Sequence, residues 1–243
     1  MLLTPLERCA NMMSSQKEEA LVPCHFFCKP VMNIEKHINR TEDIKLNKQI
    51  KLCDIKGLSF IGGQITSRIE ANEKRDERVL GKVKVIPPKA IKAGSIVHEE
   101  LYEVEYKAEF DEKKLTKAGD IVVKLSSPYD AALVSKEDEG LLITSFCIII
   151  RNTGKNVLSE YLTAFCNSGV YLSQVMNMVS GAKVPMLTIG KIKDVIINLL
   201  PTEDQEQVAK YYRTLNEKQI VMEKIISLER EKLDSVLGGN RNA

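Results

Sequence analysis

The last fifth of the chain constrains its fold more than any other stretch. A short apolar run ends at Leu199-Leu200-Pro201, and from Thr202 to about Leu237 no Gly or Pro interrupts the sequence. Thr202 is expected as the N-cap, with Gln205 three residues on as its capping-box partner. Glu203 and Asp204 suit the positive end of the helix dipole. Gly238-Gly239 then supplies a C-terminal stop. At 1.5 Å per residue such a helix is about 50 Å long, longer than a domain of this size is wide. It must project, and something must cover its apolar side.

The spacing of that side describes the cover. Val208, Tyr212, Leu215, Gln219, Met222, Ile226, Glu229, Leu233 and Val236 follow alternating steps of four and three, and seven of the nine are apolar or aromatic. This is a coiled-coil seam (Val208, Tyr212, Leu215, Met222, Ile226, Leu233, Val236) with two polar interruptions of the kind that fix register or partner number. The competing reading is an amphipathic helix lying on its own domain. Unbroken length favours pairing with another long helix.

Four segments follow from the pattern along the chain. Residues 1–47 form an irregular N-terminal segment, broken by Pro23 and Pro30 and ending in a polar stretch. Residues 48–200 are β-rich, with strands expected at 50–55, 82–86, 95–98, 102–110, 120–125 and 141–150. Turn signals such as Gly62-Gly63, Pro87-Pro88, Ala118-Gly119-Asp120 and Ser127-Pro128 separate them. Within 102–106, Tyr-Glu-Val-Glu-Tyr reads as a strand with Tyr and Val inward and the acids outward. Helical spacing covers 158–167, 170–179 and 190–194, and a strand at 195–200 leads into the helix of 201–238; residues 239–243 are a tail. The fold class is α+β: a β-rich domain with short helices, followed by one long protruding coiled-coil helix.

Composition narrows the function classes. An apolar fraction of 44% and a charged fraction of 28% describe a globular protein. No apolar run approaches the roughly 18 residues of a membrane span. Glu7, Arg8 and Lys17 break the order of a signal peptide, so a cytoplasmic location with free thiols is expected for the six cysteines. Cys24-His25-Phe26-Phe27-Cys28, with Cys9 and His37 nearby, lacks the second close ligand pair of a zinc site and reads as buried thiols; no metal is expected. With three histidines and no Walker loop, dinucleotide fingerprint, nucleophile elbow or base-flipping methyltransferase motif, the chain reads as a binder rather than a catalyst.

Net charge is only +2, but it is segregated. Residues 46–98 hold eleven Lys/Arg against five acids, and residues 99–115 hold seven acids against three lysines. Such a chain can present a basic face to phosphates. The polar turns supply the groups that read bases. Gln64, Thr66 and Ser67 follow Gly62-Gly63, Ser126, Ser127 and Tyr129 follow the 120–125 strand, and Arg68, Arg75, Lys82, Lys84 and Lys183 are candidates for phosphate contact.

In order and spacing, these elements resemble the specificity subunit of type I restriction-modification systems. The resemblance rests on Ile50-Lys51-Leu52-Cys53-Asp54-Ile55 leading into Gly62-Gly63 and Arg68, on Ala118-Gly119-Asp120-Ile121-Val122-Val123, and on Tyr161-Leu162 with Ser168-Gly169. Its most specific part is Gly181-Ala182-Lys183-Val184-Pro185 with Ile189, Ile192, Val195, Ile197, Leu200-Pro201, Glu203, Gln205 and Gln207. It covers roughly residues 48–237. The resemblance implies a target recognition domain reading one half of a split double-stranded DNA site, with a helix as spacer. It also implies docking on modification subunits that bind S-adenosylmethionine, with a restriction subunit joining for cleavage, and no cofactor on this chain. The usual member has two recognition domains and two helices. One of each here implies a half-length form, homodimeric through antiparallel packing of 203–237, while residues 1–47 match nothing in the family. The alternative from another class is a coiled-coil adaptor whose β-rich domain binds a peptide and has no DNA role.

Overall fold

A computed structural model describes residues 48–71, 78–181, 183 and 185–238. The expectations for Arg75, for the cysteine and histidine cluster before residue 40 and for the N-terminal segment lie outside these residues.

The centre of the domain is a four-stranded antiparallel sheet of β2 (Leu58–Gly62), β10 (Cys147–Asn152), β7 (Ile121–Lys124) and β8 (Ala131–Leu133), in that order. The runs Ile121-Val122-Val123 and Cys147-Ile148-Ile149-Ile150 are apolar without alternation because both faces of this sheet are covered. Ile121, Val123, Ile148 and Ile150 face one core with Tyr161, Leu162, Tyr171 and Ile192. Val122, Cys147 and Ile149 face a second with Ile86, Ile91 and Val134. A three-stranded sheet places β3 (Gly81–Ile86) between β6 (Tyr102–Tyr106), antiparallel, and β9 (Leu142–Ile143), parallel. Two small pairs complete the strands: β1 (Lys48–Lys51) with β11 (Ile196–Leu199), and β4 (Ile91–Lys92) with β5 (Ser95–Ile96).

The helices are α1 (Ser159–Cys166), α2 (Gly169–Val179), α3 (Ile189–Lys193) and α4 (Thr202–Gly238). The fold class is thus α+β with one long terminal helix. The expected 141–150 strand is two strands, β9 and β10, because Thr144-Ser145 turns the chain between them; Cys147 N donates to Thr144 O at 2.9 Å. In β6 the acids are solvent-facing as expected and Val104 is buried, but Tyr102 is exposed.

A part-buried ion pair stitches the strands together. The Arg151 guanidinium grips Asp120 with Nε to Oδ1 at 2.9 Å and Nη2 to Oδ2 at 2.7 Å, and Nη2 also donates to Leu115 O. Lys117 N donates to the same carboxylate, so Ala118-Gly119-Asp120 is a turn closed by its own aspartate. The hydrogen bond from Arg151 to Asp120 raises the guanidinium pKa.

Helix α4 begins differently from the expectation. Gln205 N donates to Pro201 O, so Pro201 rather than Thr202 stands at the N-cap position. Gln205 does not form a capping box. Its side chain is 1% exposed, accepts from Leu158 N at 2.8 Å and donates to Leu200 O at 2.8 Å and Asn156 O at 3.1 Å. It thereby locks the root of α4 to the start of α1. Ala209 is buried on the same face, and Tyr212 and Asn216 continue it. Gly94, at φ +95°, allows this approach: a Cβ there would sit 2.2 Å from Asn216 Nδ2 and 3.3 Å from Tyr212 Oη.

Tyr212 therefore belongs to the face turned to the domain, which corrects its place in the seam. Burial of its hydroxyl raises its pKa. The other six seam residues (Val208, Leu215, Met222, Ile226, Leu233 and Val236) are exposed, and every residue from Glu217 to Gly238 is exposed. About 33 Å of helix thus lies beyond Asn216, its last half-buried residue. Its exposed apolar surface is wider than the seam, since Val221, Ile225 and Leu228 add a second stripe at i, i+4, i+7. No helix among the described residues is long and apolar enough to cross a membrane.

Candidate nucleic-acid interface

Strand register decides which loops meet. Ile148 lies opposite Gly62, Cys147 opposite Lys124, and Val123 opposite Ala131. The end of β2, the start of β10, the end of β7 and the start of β8 are therefore one end of the central sheet. Three loops follow or precede these points, 63–68, 125–130 and 144–146, and a fourth, within 181–188 between α2 and α3, is bonded to the second of them. Backbone bonds join them laterally. Gly63 N donates to Cys147 O, Ser145 N to Gln64 O, Leu125 N to Phe146 O, and Leu187 N to Leu125 O. Gly63 is required at this junction, because a Cβ would fall 1.9 Å from Thr144 O.

Most of the expected contact residues gather here. Thr66, Ser67 and Arg68 form a 3-10 turn, with Ser67 and Arg68 exposed and Ile69 beneath them in the core. Ser126 and exposed Ser127 open the 125–130 loop, and exposed Lys183 sits in the 181–188 segment. Gln64 is at this end, but its amide is engaged: Lys114 Nζ donates to Oε1 at 2.7 Å and Nε2 donates to Ile65 O.

Tyr129 is a correction. It is 2% exposed, and its hydroxyl donates to Pro185 O at 2.7 Å, tying the 181–188 segment to the 125–130 loop. Its φ of 63° is in the left-handed region, a strained conformation for an aromatic residue that follows the cis peptide Ser127-Pro128. Its role here is to position the loops rather than to touch a ligand.

The lysines of β3 are also placed differently from the expectation of a basic face. Lys82 lies opposite Glu105 and Lys84 opposite Glu103 in the β3–β6 register. Lys82 Nζ is 3.0 Å from Glu105 and 3.5 Å from Glu103, and the bond to Glu105 raises the ammonium pKa. Lys89 pairs with Glu100 in the same way. Three lysines of the 46–98 block, Lys82, Lys84 and Lys89, thus face acids of the 99–115 block. Arg68, Lys114 and Lys183 are cations carried by or bonded to the loops at the end of the sheet.

Two groups at this end escaped the sequence reading. Lys114, in a 3-10 turn, is brought to Gln64 from fifty residues away. Phe146, read as part of a buried strand, is at the tip of the 144–147 turn and 52% exposed. The polar pair Thr144-Ser145 inside an apolar run was the signal for that turn. Among the described residues no three His, Cys, Asp or Glu side chains are grouped as a metal site. Two of the described thiols are poor nucleophiles: burial pushes Cys147 up to about 11 and Cys166 up to about 12.

No protein-family model matches this sequence, and no curated protein sequence matches it. Solved structures do. The chain is similar to the HsdS subunit from Thermoanaerobacter tengcongensis, with a TM-score of 0.50 and 18% identity over 75% of this chain and 48% of that one. A structure of complex assembly and conformational transition of the type I R-M system aligns at 0.47 and 18%, over 74% and 46% of the two chains. The type I restriction-modification S subunit from M. genitalium aligns at 0.47 and 13%, over 84% and 48%. The first likeness shows a shared fold, an α+β domain with a long helix. The chain spans about half the length of each of these proteins.

Proposed function

We propose that this chain is a non-catalytic, sequence-specific DNA-binding specificity subunit of a type I restriction-modification system, reading one half of a bipartite site. The observation that carries this is the gathering of polar loops at one end of the central sheet, while α4, rooted by Gln205 toward the sheet's other end, passes Gly94 beside Ala131 before about 33 Å of it projects. Arg68, Lys114 and Lys183 contact phosphates and give a salt-dependent affinity. Thr66, Ser67, Ser126 and Ser127 read base edges directly or through water. Similarity to an HsdS fold supports the reading.

The projecting helix supplies the spacer. Pairing antiparallel with its copy through Leu215, Met222, Ile226 and Leu233 makes a homodimer that presents two heads to inverted half-sites at fixed separation. The second stripe, Val221, Ile225 and Leu228, lies off that seam and is left to dock modification subunits, which bring S-adenosylmethionine. Co-expression with a type I modification subunit, followed by mapping of adenine methylation, tests the assignment. A bipartite inverted motif that disappears when Arg68 and Lys183 are both replaced by Ala is expected. Methylation that ignores this double substitution would sink it. The adaptor reading gains from the charge pairing across β3 and β6. It predicts duplex retention that is absent at low salt.

A further inference from the structure

Phe146 stands out at the sheet end because its surroundings are so well fixed. Its flanking residues Thr144 and Cys147 are buried, and the turn is held by Cys147 N to Thr144 O at 2.9 Å. On one side Ser145 N is bonded to Gln64 O at 2.8 Å, and on the other Leu125 N is bonded to Phe146 O at 2.9 Å. The ring is thus presented from a pinned turn between the Gln64–Arg68 loop and the Ser126-Ser127 loop. A single exposed apolar side chain is ordinary on a protein surface. An aromatic ring carried on a backbone-pinned turn between polar and cationic loops is not, because the turn is already fixed for contact.

We propose that Phe146 is a specificity-determining contact that presses on the C5-methyl group of a thymine in the major groove. The inference rests on the DNA reading above and deepens it. The neighbouring hydroxyls of Thr66, Ser67, Ser126 and Ser127 exchange hydrogen bonds with base edges, and of these side chains only Thr66 also carries a methyl, a far smaller apolar surface than the Phe146 ring. The ring covers a thymine methyl, and it distinguishes an A·T pair by a contact that hydroxyls cannot make. Arg68, Lys114 and Lys183, on or bonded to the loops at this end, hold the phosphates that set its depth.

The test uses the full chain and a pool of randomised duplexes, with retained sequences read out, then fluorescence anisotropy on the selected duplex with thymine or with uracil in its place. Wild type is expected to lose about tenfold in affinity when uracil removes the contacted methyl. Phe146→Ala is expected to show that same loss on the thymine duplex and no further loss on the uracil duplex, as two changes to one contact should. Its thermal melt should overlay that of wild type, since the ring is exposed. Wild-type affinity in Phe146→Ala, equal further loss on both duplexes, or a selected motif with no shared A·T pair overturns the proposal. If wild type retains no duplex at all, the DNA reading itself fails and this proposal with it, an outcome separate from a failure at Phe146 alone.

Discussion

Gln205 is the residue on which the placement of the long helix turns, and its removal has a calculable cost. Gln205→Ala deletes three hydrogen bonds, to Leu158 N, Leu200 O and Asn156 O, from a side chain that is 1% exposed. Leu158 N is at the start of α1 and Leu200 O at the entry to α4, so neither has a helical partner to fall back on. At about 1 kcal/mol for each bond, the loss is about 3 kcal/mol. For a domain of this size that corresponds to a fall in Tm of about 6–12 °C. Urea unfolding followed by far-UV circular dichroism measures it, as a lower midpoint at unchanged slope.

Gln205→Glu sharpens the test through pH. A glutamate there must face the Leu200 and Asn156 carbonyl oxygens, so burial and repulsion raise its folded pKa above the unfolded value. Its stability is then fully present below the unfolded pKa and is lost as pH rises through the folded one. This variant should therefore come closest to wild type near pH 4 and fall furthest behind near pH 8. A loss below about 0.5 kcal/mol in Gln205→Ala, or no pH trend in Gln205→Glu, would refute the reasoning.

Other perturbations separate the parts of the account. Asp120→Ala leaves the part-buried Arg151 guanidinium without its carboxylate and should cost about 1–3 kcal/mol by chemical denaturation. Gly63→Ala must move the Thr144 carbonyl and should destabilise by more than about 2 kcal/mol; a melt equal to wild type would mean that the loop junction is looser than described. Leu215→Asp with Ile226→Asp should turn a dimer into a 27.3 kDa monomer by light scattering while the domain's near-UV spectrum is kept. Arg68→Ala should weaken duplex binding by about 1–3 kcal/mol if it reaches a guanine edge, and by less with a shallower salt slope if it meets phosphate. Alkylation at pH 8 with peptide mapping should label exposed Cys53 and spare Cys147 and Cys166, whose burial raises their pKa.

The sequence made the periodic elements readable and left the long-range ones hidden. Helices α1, α2 and α4 and strands β3, β7 and β11 were visible because their apolar spacing is local. Strand β2 was not expected as a strand. Its Leu58-Ser59-Phe60-Ile61-Gly62 gains its meaning from pairing with β10 ninety residues away. β8 was missed for the same reason, its Ala131-Ala132-Leu133 being too short and weakly patterned to stand out. The charge blocks show segregation along the sequence but not the β3–β6 register that sets Lys82 and Lys84 opposite Glu105 and Glu103. Tyr129 and Tyr212 show the same limit for aromatics. Both sat in stretches with a functional pattern, and both were claimed by packing that only the folded chain reveals. The loops themselves were located correctly. Their convergence at one end of a sheet required the strand order.

The central claim, that these loops read duplex DNA as one of two symmetric heads, is tested most directly by selecting retained sequences from the randomised duplex pool and titrating salt on the winner. The account predicts an inverted repeat of two short half-sites at one fixed spacing, with affinity falling steeply between 50 mM and 200 mM salt as released counterions require. Retention without any enriched sequence, or an enriched sequence lacking inverted symmetry, would contradict it.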